Sequence, residues 1–472
     1  MPDSPASTRT PPLSRSQLVL FGLPEFAVYL AVIPVSLYLP FFYSRDLGLD
    51  ITDIGLLLML ARISDVVTDP LIGALSDRTR SRLGRRRPWM LAGTPLMMLA
   101  AYQLFAPSGA VTNGYLLTWS VLLWLGWTMI NIPYYAWGAE LSDDFDERTR
   151  ITGWRQAFGF AGNISVLLVP VTAAKLFDYG GVASEALVII GAMALILLPV
   201  LIGTTVWRLP ERSVVRAAPQ PALRHLRHML RNGSFLVLFA GFTLMSLGTT
   251  MIGTLFMLFT TFAMDLERQA QPILLAYFAV NIVGLPFWVW LSHRIGKREA
   301  WMVGTGVMAL TTPAYLLLEP GQILPFVLIT AVIGFAGGNF MALSMSMKAD
   351  VIELASRRSR DHVAGAYMAV WSLGSKTTQA LAVGLSLPLL GFFGFDPRAE
   401  NSPAEIDALR YTISLLPPAL YLAAMIIIVR YPIGRRRLER LRGAYQRRDA
   451  RRERDAASEA GGLPGQKLEG AS

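Results

Sequence analysis

The sequence predicts an all-α membrane protein whose twelve transmembrane helices form two six-helix bundles around a central cavity. Three observations lead there. Of the 472 residues, 53% are hydrophobic and only 16% charged, against roughly 25% charged in a soluble domain. Mostly apolar runs of about 18 to 25 residues recur twelve times, each able to cross about 30 Å of hydrocarbon at 1.5 Å per residue. The longest interior polar stretch, Arg208 to Asn232, divides these runs six and six.

After an N-terminal arm over residues 1–17, the first bundle is expected over 18–207. Its spans read Leu18 to Tyr43, Ile51 to Ser76, Trp89 to Ala106, Gly114 to Gly138, Ile151 to Ala174 and Leu187 to Trp207. The first run is too long for a signal-peptide core and has no small-residue cleavage site behind it, so it is expected to stay as a span. A linker over 208–234 carries Pro210, Pro219, Pro221, His225 and His228 and reads as a solvated connection. The second bundle, 235–430, holds Phe235 to Phe262, Ile273 to Leu291, Trp301 to Leu318, Ile323 to Met347, Val363 to Phe393 and Tyr411 to Val429. A basic tail over 431–472 closes the chain and is expected to be partly disordered.

Charge position decides how the net +10 is to be read. Segments sharing a side with the N-terminus hold 35 of the 43 Lys and Arg residues, the opposite loops hold 5, and 3 lie inside spans. That asymmetry orients membrane proteins and places both termini in the cytoplasm of a bacterial inner membrane. It also accounts for the basic excess without a nucleic-acid partner. There is no cysteine, which excludes disulfides, thiolate metal sites and cysteine nucleophiles. Phosphate-binding glycine loops, paired metal histidines and a nucleophile elbow are absent from the sequence, so it is read as no enzyme and no cofactor is expected.

The two halves share a loop pattern. After the second span stands Leu75-Ser76-Asp77-Arg78, then Gly84-Arg85-Arg86-Arg87; after the eighth stands Leu291-Ser292-His293-Arg294, then Gly296-Lys297-Arg298. Parallel repeats produce such placement. A turn at each glycine lets the cations meet helix ends and carboxylates such as Asp77. Asp77, Arg78, Arg85, Arg86 and Arg294 are therefore expected to form helix interfaces that close in one conformation and open in another.

Few charges lie inside the spans, and each costs at least about 2.5–3.5 kcal/mol there. Arg62, Asp65 and Asp69 fall at i, i+3 and i+7, on one helix face. Two carboxylates about 6 Å apart in low dielectric repel each other, and a cation or shared proton relieves the repulsion. Thr68 adds a neutral oxygen, and Pro70 leaves a carbonyl without its usual donor. An Arg62–Asp65 pair that only staples helices would leave the second aspartate unexplained. Glu25, Arg155 and Lys376 are isolated in distant spans and are cheapest if they converge on one hydrated cavity. Thr128, Asn131 and Tyr135 form a polar stripe on the fourth span that suits a polyhydroxy ligand, or hydrogen bonding between helices.

The run Arg62-Ile63-x-Asp65-x-x-x-Asp69-Pro70-x-x-Gly73-x-x-x-Asp77-Arg78-Thr79-x-Ser81-Arg82-x-Gly84-Arg85-Arg86-Arg87-Pro88 resembles the signature of the glycoside-pentoside-hexuronide:cation symporters. This is the melibiose permease-like branch of the major facilitator superfamily. Ile132-Pro133-Tyr134-Tyr135, Glu140-Leu141-Ser142, Arg148-Thr149-Arg150, Arg155, and Trp371 followed by Lys376 join the resemblance. It implies a major facilitator fold and a coupling cation, Na+ or H+, held at Asp65 and Asp69 with Thr68 and Thr128 beside them. Asp65 and Asp69 would be the metal ligands if sodium is coupled. It further implies substrate contacts from Glu25, Asn131, Tyr135, Arg155, Trp371 and Lys376. Asn131 stands where the permease has a sugar-binding aspartate, which departs from galactoside recognition.

The expected function is cation-coupled symport of a sugar, glycoside or similar small polar solute by a monomer in the lipid bilayer. The alternatives are a transporter of an amphiphile such as a lysolipid, and a transport-inactive scaffold or sensor using the basic tail.

Overall fold

The computed structural model describes residues 12–142, 144–177, 183–211, 229–359 and 364–433, with Arg440 and Arg447. All twelve expected spans correspond to helices within these residues. Arg15–Leu37 is the first, Ile51–Ile63 and Asp65–Arg78 make up the second, and Arg87–Phe105, Asn113–Glu140, Phe145–Phe177 and Ala183–Arg208 complete the first bundle. Gly233–Leu258, Ala270–Ile295, Lys297–Thr311, Ile323–Ser359, Ala364–Phe392 and Pro403–Ile428 form the second. Among the described residues nine of the helices are long and apolar enough to cross a membrane on composition alone. Most of the linker, with Pro219, Pro221, His225 and His228, and nearly all of the N-terminal arm and the tail lie outside the described residues.

Local chemistry sets where the spans start. Ser14 and Gln17 form a reciprocal capping box at the first helix, as Ser402 and Glu405 do at the twelfth. The Asp50 carboxylate accepts from the backbone N–H of Thr52 and Asp53 at the second, satisfying donors that the first turn leaves free. Within the second span the helix is interrupted at Ser64, whose hydroxyl donates to the Ala61 carbonyl at 2.7 Å. The outer surface is what lipid requires: Leu310, Leu317 and Phe392 are more than 80% exposed.

The packing repeats with a shift of six spans. Spans one and five, one and six, two and four, three and four, and three and six pack together, and so do seven and eleven, seven and twelve, eight and ten, nine and ten, and nine and twelve. The bundles meet through spans two and eleven and through five and eight, a pair of contacts related by the same shift. The repeat reaches the backbone. Span one ends in a π-turn over Phe42–Asp46 and span seven in one over Phe259–Ala263. In each, two bonds close the turn, Leu47 N to Phe42 O and Leu49 N to Tyr43 O, then Met264 N to Phe259 O and Leu266 N to Thr260 O. The left-handed residue that follows is Gly48 in one half and Asp265 in the other, at φ 75° and 54°, a conformation that favours glycine and tolerates aspartate.

Helix ends differ from expectation at several spans: the fifth begins at Phe145 rather than Ile151 and the twelfth at Pro403 rather than Tyr411. The tenth helix runs on to Ser359, twelve residues beyond Met347. Lys348 and Asp350 do not end it, because one turns toward the cavity and the other toward Lys297.

Candidate functional site

A cavity of about 600 Å³ lies between the bundles. Its first-bundle wall carries Glu25, Arg62, Tyr135, Arg155, Gln156 and Asn163; its second-bundle wall mixes Phe242, Phe278, Phe340, Met341, Met345, Met368 and Trp371 with polar groups that include Asn281, Lys348, Ser372, Ser375, Lys376 and Gln379.

The charges converge, in two groups. In the first, Arg62 Nη1 donates to Asp65 Oδ2 at 2.7 Å, and Lys376 Nζ, from the eleventh span, stands 3.3 Å from the same oxygen. Lys376 also pairs with Asp69, whose other oxygen accepts from the Thr128 hydroxyl at 2.9 Å. Two indoles hold the cations in place: Arg62 lies 3.6 Å over the Trp124 ring and Lys376 4.1 Å over that of Trp127. The repulsion anticipated between the aspartates is thus relieved in this conformation by Arg62 and Lys376. The Arg62–Asp65 pair exists, but it engages only one of the two acids. Asp65 Oδ1 and Thr68 Oγ1 are buried without a hydrogen-bond partner among the described residues, so oxygen donors suited to a small cation are present.

In the second group Arg155 Nη1 donates to Glu25 Oε1 at 3.2 Å, the Tyr135 hydroxyl donates to the same oxygen at 3.2 Å, and the Arg155 guanidinium lies 4.0 Å over the Tyr135 ring. Span five comes close enough for this because position 159 is glycine: a Cβ there would sit 3.1 Å from Glu25 Cγ. Glu25, Tyr135, Arg155, Trp371 and Lys376 all line the cavity. Asn131 does not. It is fully buried, and both its side-chain polar atoms lack a hydrogen-bond partner among the described residues.

Sequence reasoning missed Lys348, which it assigned to a loop. The side chain is 7% exposed, lines the cavity and sits 5.1 Å over the Trp371 ring. The signal available was helical spacing from the tenth span, with Ser344, Met345 and Lys348 on one side.

Of the expected gating residues, Asp77, Arg85 and Arg86 find their partners within the first bundle. Arg86 is buried and binds Asp77 at 2.5 Å, Glu140 at 2.8 Å and Ser76 at 2.7 Å; Arg85 reaches Glu140 at 3.3 Å. The equivalent contact of the other half is Lys297 to Asp350, at 2.5 Å. Both loops turn at a glycine of positive φ, Gly84 and Gly296, and a Cβ on Gly84 would meet a Glu211 oxygen at 2.0 Å. Arg78 is exposed, and Arg294, also exposed, lies over Trp290. At the other end the bundles touch directly. Arg45 pairs with Glu267, and Arg398 donates to the Gly48 carbonyl at 3.1 Å. Gly55 meets Pro388, Gly384 meets Met59 and Gly391 meets Thr52 so closely that a Cβ would fall within 2.6 Å of each neighbour. The cavity is therefore shut at the end away from the termini, where small residues let spans two and eleven approach.

Comparison with known proteins agrees with this architecture. The family described as MFS/sugar transport protein matches residues 20–435. The chain belongs to that family. It is accordingly a multi-pass membrane transporter of the symporter type, and the resemblance read from its sequence is borne out. Similar proteins include the sodium-dependent lysophosphatidylcholine symporter 1 of Gallus gallus, 25% identical over 449 residues, with 86% of this chain and 84% of that protein covered. The inner membrane symporter YicJ of Escherichia coli is 24% identical, with 89% and 92% covered. Among solved structures, a D-xylose-proton symporter superposes with a TM-score of 0.63 at 14% identity, covering 88% of this chain and 96% of that one. At that identity the likeness concerns the fold alone.

Proposed function

We propose that the protein couples the entry of a cation, Na+ or H+, to symport of a sugar, glycoside or similar small polar solute, by alternating access around the central cavity. One observation carries this reading: Lys376, from the second bundle, neutralises two acids of the first across the interface between them. A cation bound by Asp65, Asp69, Thr68 and Thr128 competes with the ammonium for the same oxygens. Its arrival releases Lys376 toward the cavity, where the side chain becomes available to solute together with Tyr135, Arg155 and Trp371. Coupling is then a difference in affinity between two arrangements of one ion pair. Asp77, Arg78, Arg85, Arg86 and Arg294 belong to helix interfaces that form in one conformation and open in the other; the Arg86 contacts to Asp77 and Glu140 support this for the first bundle. The protein works as a monomer in the bacterial inner membrane with both termini cytoplasmic; it is not an enzyme, holds no resident cofactor and binds no nucleic acid.

The deciding experiment is counterflow of labelled glycosides in proteoliposomes under separate sodium and proton gradients. Asp69→Asn is expected to insert normally and lose cation-dependent uptake; uptake that stays equally cation-dependent would refute the assignment.

A second reading, an amphiphilic solute such as a lysolipid, is favoured by the apolar side chains of Phe242, Phe278, Phe340, Met341, Met345 and Met368, and a lysophosphatidylcholine symporter is among the relatives. Adding lysolipids to the same panel separates the two. The scaffold reading rests on a tail that lies almost wholly outside the described residues, and no observation favours it.

A further inference from the structure

We infer that Lys348 is the anchor for an acidic group on the transported solute, a carboxylate or a phosphate ester, seated against Trp371. The inference deepens the symport reading and rests on it.

The charge balance of the cavity carries the argument. Every other ionised group there has an ionic partner: Glu25 has Arg155, Asp65 has Arg62 and Lys376, and Asp69 has Lys376. Lys348 has no carboxylate within salt-bridge distance among the described residues; its one close partner is the Trp371 ring. The neighbouring acid on its own helix, Asp350, is engaged by Lys297 outside the cavity. A buried ammonium in a membrane interior is costly unless hydrated or paired, and an indole face offsets only a part, about 0.5–2 kcal/mol.

The surroundings fit an anion on a partly apolar solute. Trp371 is fixed by Phe242 at 4.3 Å and Phe239 at 5.9 Å between ring centroids, so the indole stays beside the ammonium. Ser372 and Ser375 line the same wall and supply hydroxyl donors. Four cations (Arg62, Arg155, Lys348 and Lys376) stand against three carboxylates (Glu25, Asp65 and Asp69). In the arrangement seen here, with no coupling cation displacing Lys376, one negative charge on the solute completes the balance, and Lys348 is the cation that lacks an acid of its own.

The test uses purified full-length protein in nanodiscs, with tryptophan fluorescence read during titration of three probes sharing one tail: octyl β-D-glucoside, octyl β-D-glucuronide and octyl phosphate. The two anions are expected to bind roughly tenfold or more tighter than the neutral glucoside, the gain of a charge-assisted hydrogen bond. Lys348→Met should abolish that preference while leaving glucoside affinity within about twofold, and Lys348→Arg should restore it. A preference for the glucuronide alone assigns the anchor to carboxylates, and for octyl phosphate alone to phosphate esters. Equal affinity for all three probes, binding of none, or an anion preference that survives in Lys348→Met overturns the inference. Anion preference that depends on Lys348, in a protein whose uptake no cation gradient drives, would overturn the symport reading and leave the anchor standing.

Discussion

Lys376 on the eleventh span reaches out of its own bundle to pair with Asp69 on the second, and its ammonium is 3.3 Å from Asp65. Three hundred residues of sequence separate the partners, and the bundles that carry them are the two bodies that must move apart. An ion pair placed there holds the bundles together only while nothing else neutralises the acids.

Removing the ammonium is therefore expected to make the protein depend on external cation. Breaking a buried pair costs about 3–5 kcal/mol, so Lys376→Met should lower the thermal midpoint by several degrees in choline chloride. If sodium is the coupling ion, sodium chloride restores it by mass action, by about 2.7 kcal/mol at one hundred times the Kd. A scan in both salts checks this; a variant as stable as the parent in choline chloride would show that the pair holds nothing.

The Glu25–Arg155 pair, at 3.2 Å, should act as a unit. Glu25→Gln leaves a guanidinium facing the cavity without its acid, and Arg155→Gln leaves a buried carboxylate with only Tyr135. The double variant is expected to lose less stability than the two single losses combined, by about 1 kcal/mol or more. A double-mutant cycle on thermal stability reads the coupling; losses that simply add would mean the residues act separately.

Closure at the end away from the termini depends on missing side chains. A Cβ at Gly384 would already lie 2.3 Å from Met59 Sδ, so Gly384→Leu must separate spans two and eleven. The chain has no cysteine, and a single Thr52→Cys becomes a clean reporter. Alkylation of that thiol by an impermeant maleimide in sealed vesicles is expected to rise at least severalfold in the Gly384→Leu background. An unchanged rate would argue against this seal.

Acid should loosen the same end. Asp396 and Arg398 lie in the loop between the last two spans, and hydrogen bonding from Arg398 holds the Asp396 carboxyl below its usual range. A carboxyl whose pKa is depressed on folding adds stability above its unfolded value and loses it as pH falls through the folded one. The pairing is therefore expected to be intact at neutral pH, to begin weakening only below the ordinary aspartate value of about 3.9, and to fail as the pH falls through the lower folded value, freeing Arg398 from the Gly48 carbonyl. Hydrogen exchange in residues 393–402, followed from pH 7 down to about pH 2 after correction for intrinsic rates, should show this step below the ordinary aspartate value of about 3.9. Asp396→Asn should show no such step.

Much of the fold is visible in the chain itself, because crossing lipid is a local requirement: each span needs its own apolar length and its own internal hydrogen bonds. The acids at 65 and 69 and the basic loops after Gly84 and Gly296 were readable for the same reason, since spacing along one helix decides which residues share a face. The family signature added the likeness to symporters.

What the sequence by itself determined is thus the number of spans, their division into two related halves and the set of charges placed in hydrocarbon. Which charge answers which was decided by tertiary structure alone. Lys376 finds Asp69, Glu25 finds Arg155, Asn131 turns inward and Lys348 turns to the cavity, because pairing depends on distances of a few ångströms between helices far apart in the chain. Helix periodicity carries no information about those distances; they exist only once the bundles have packed.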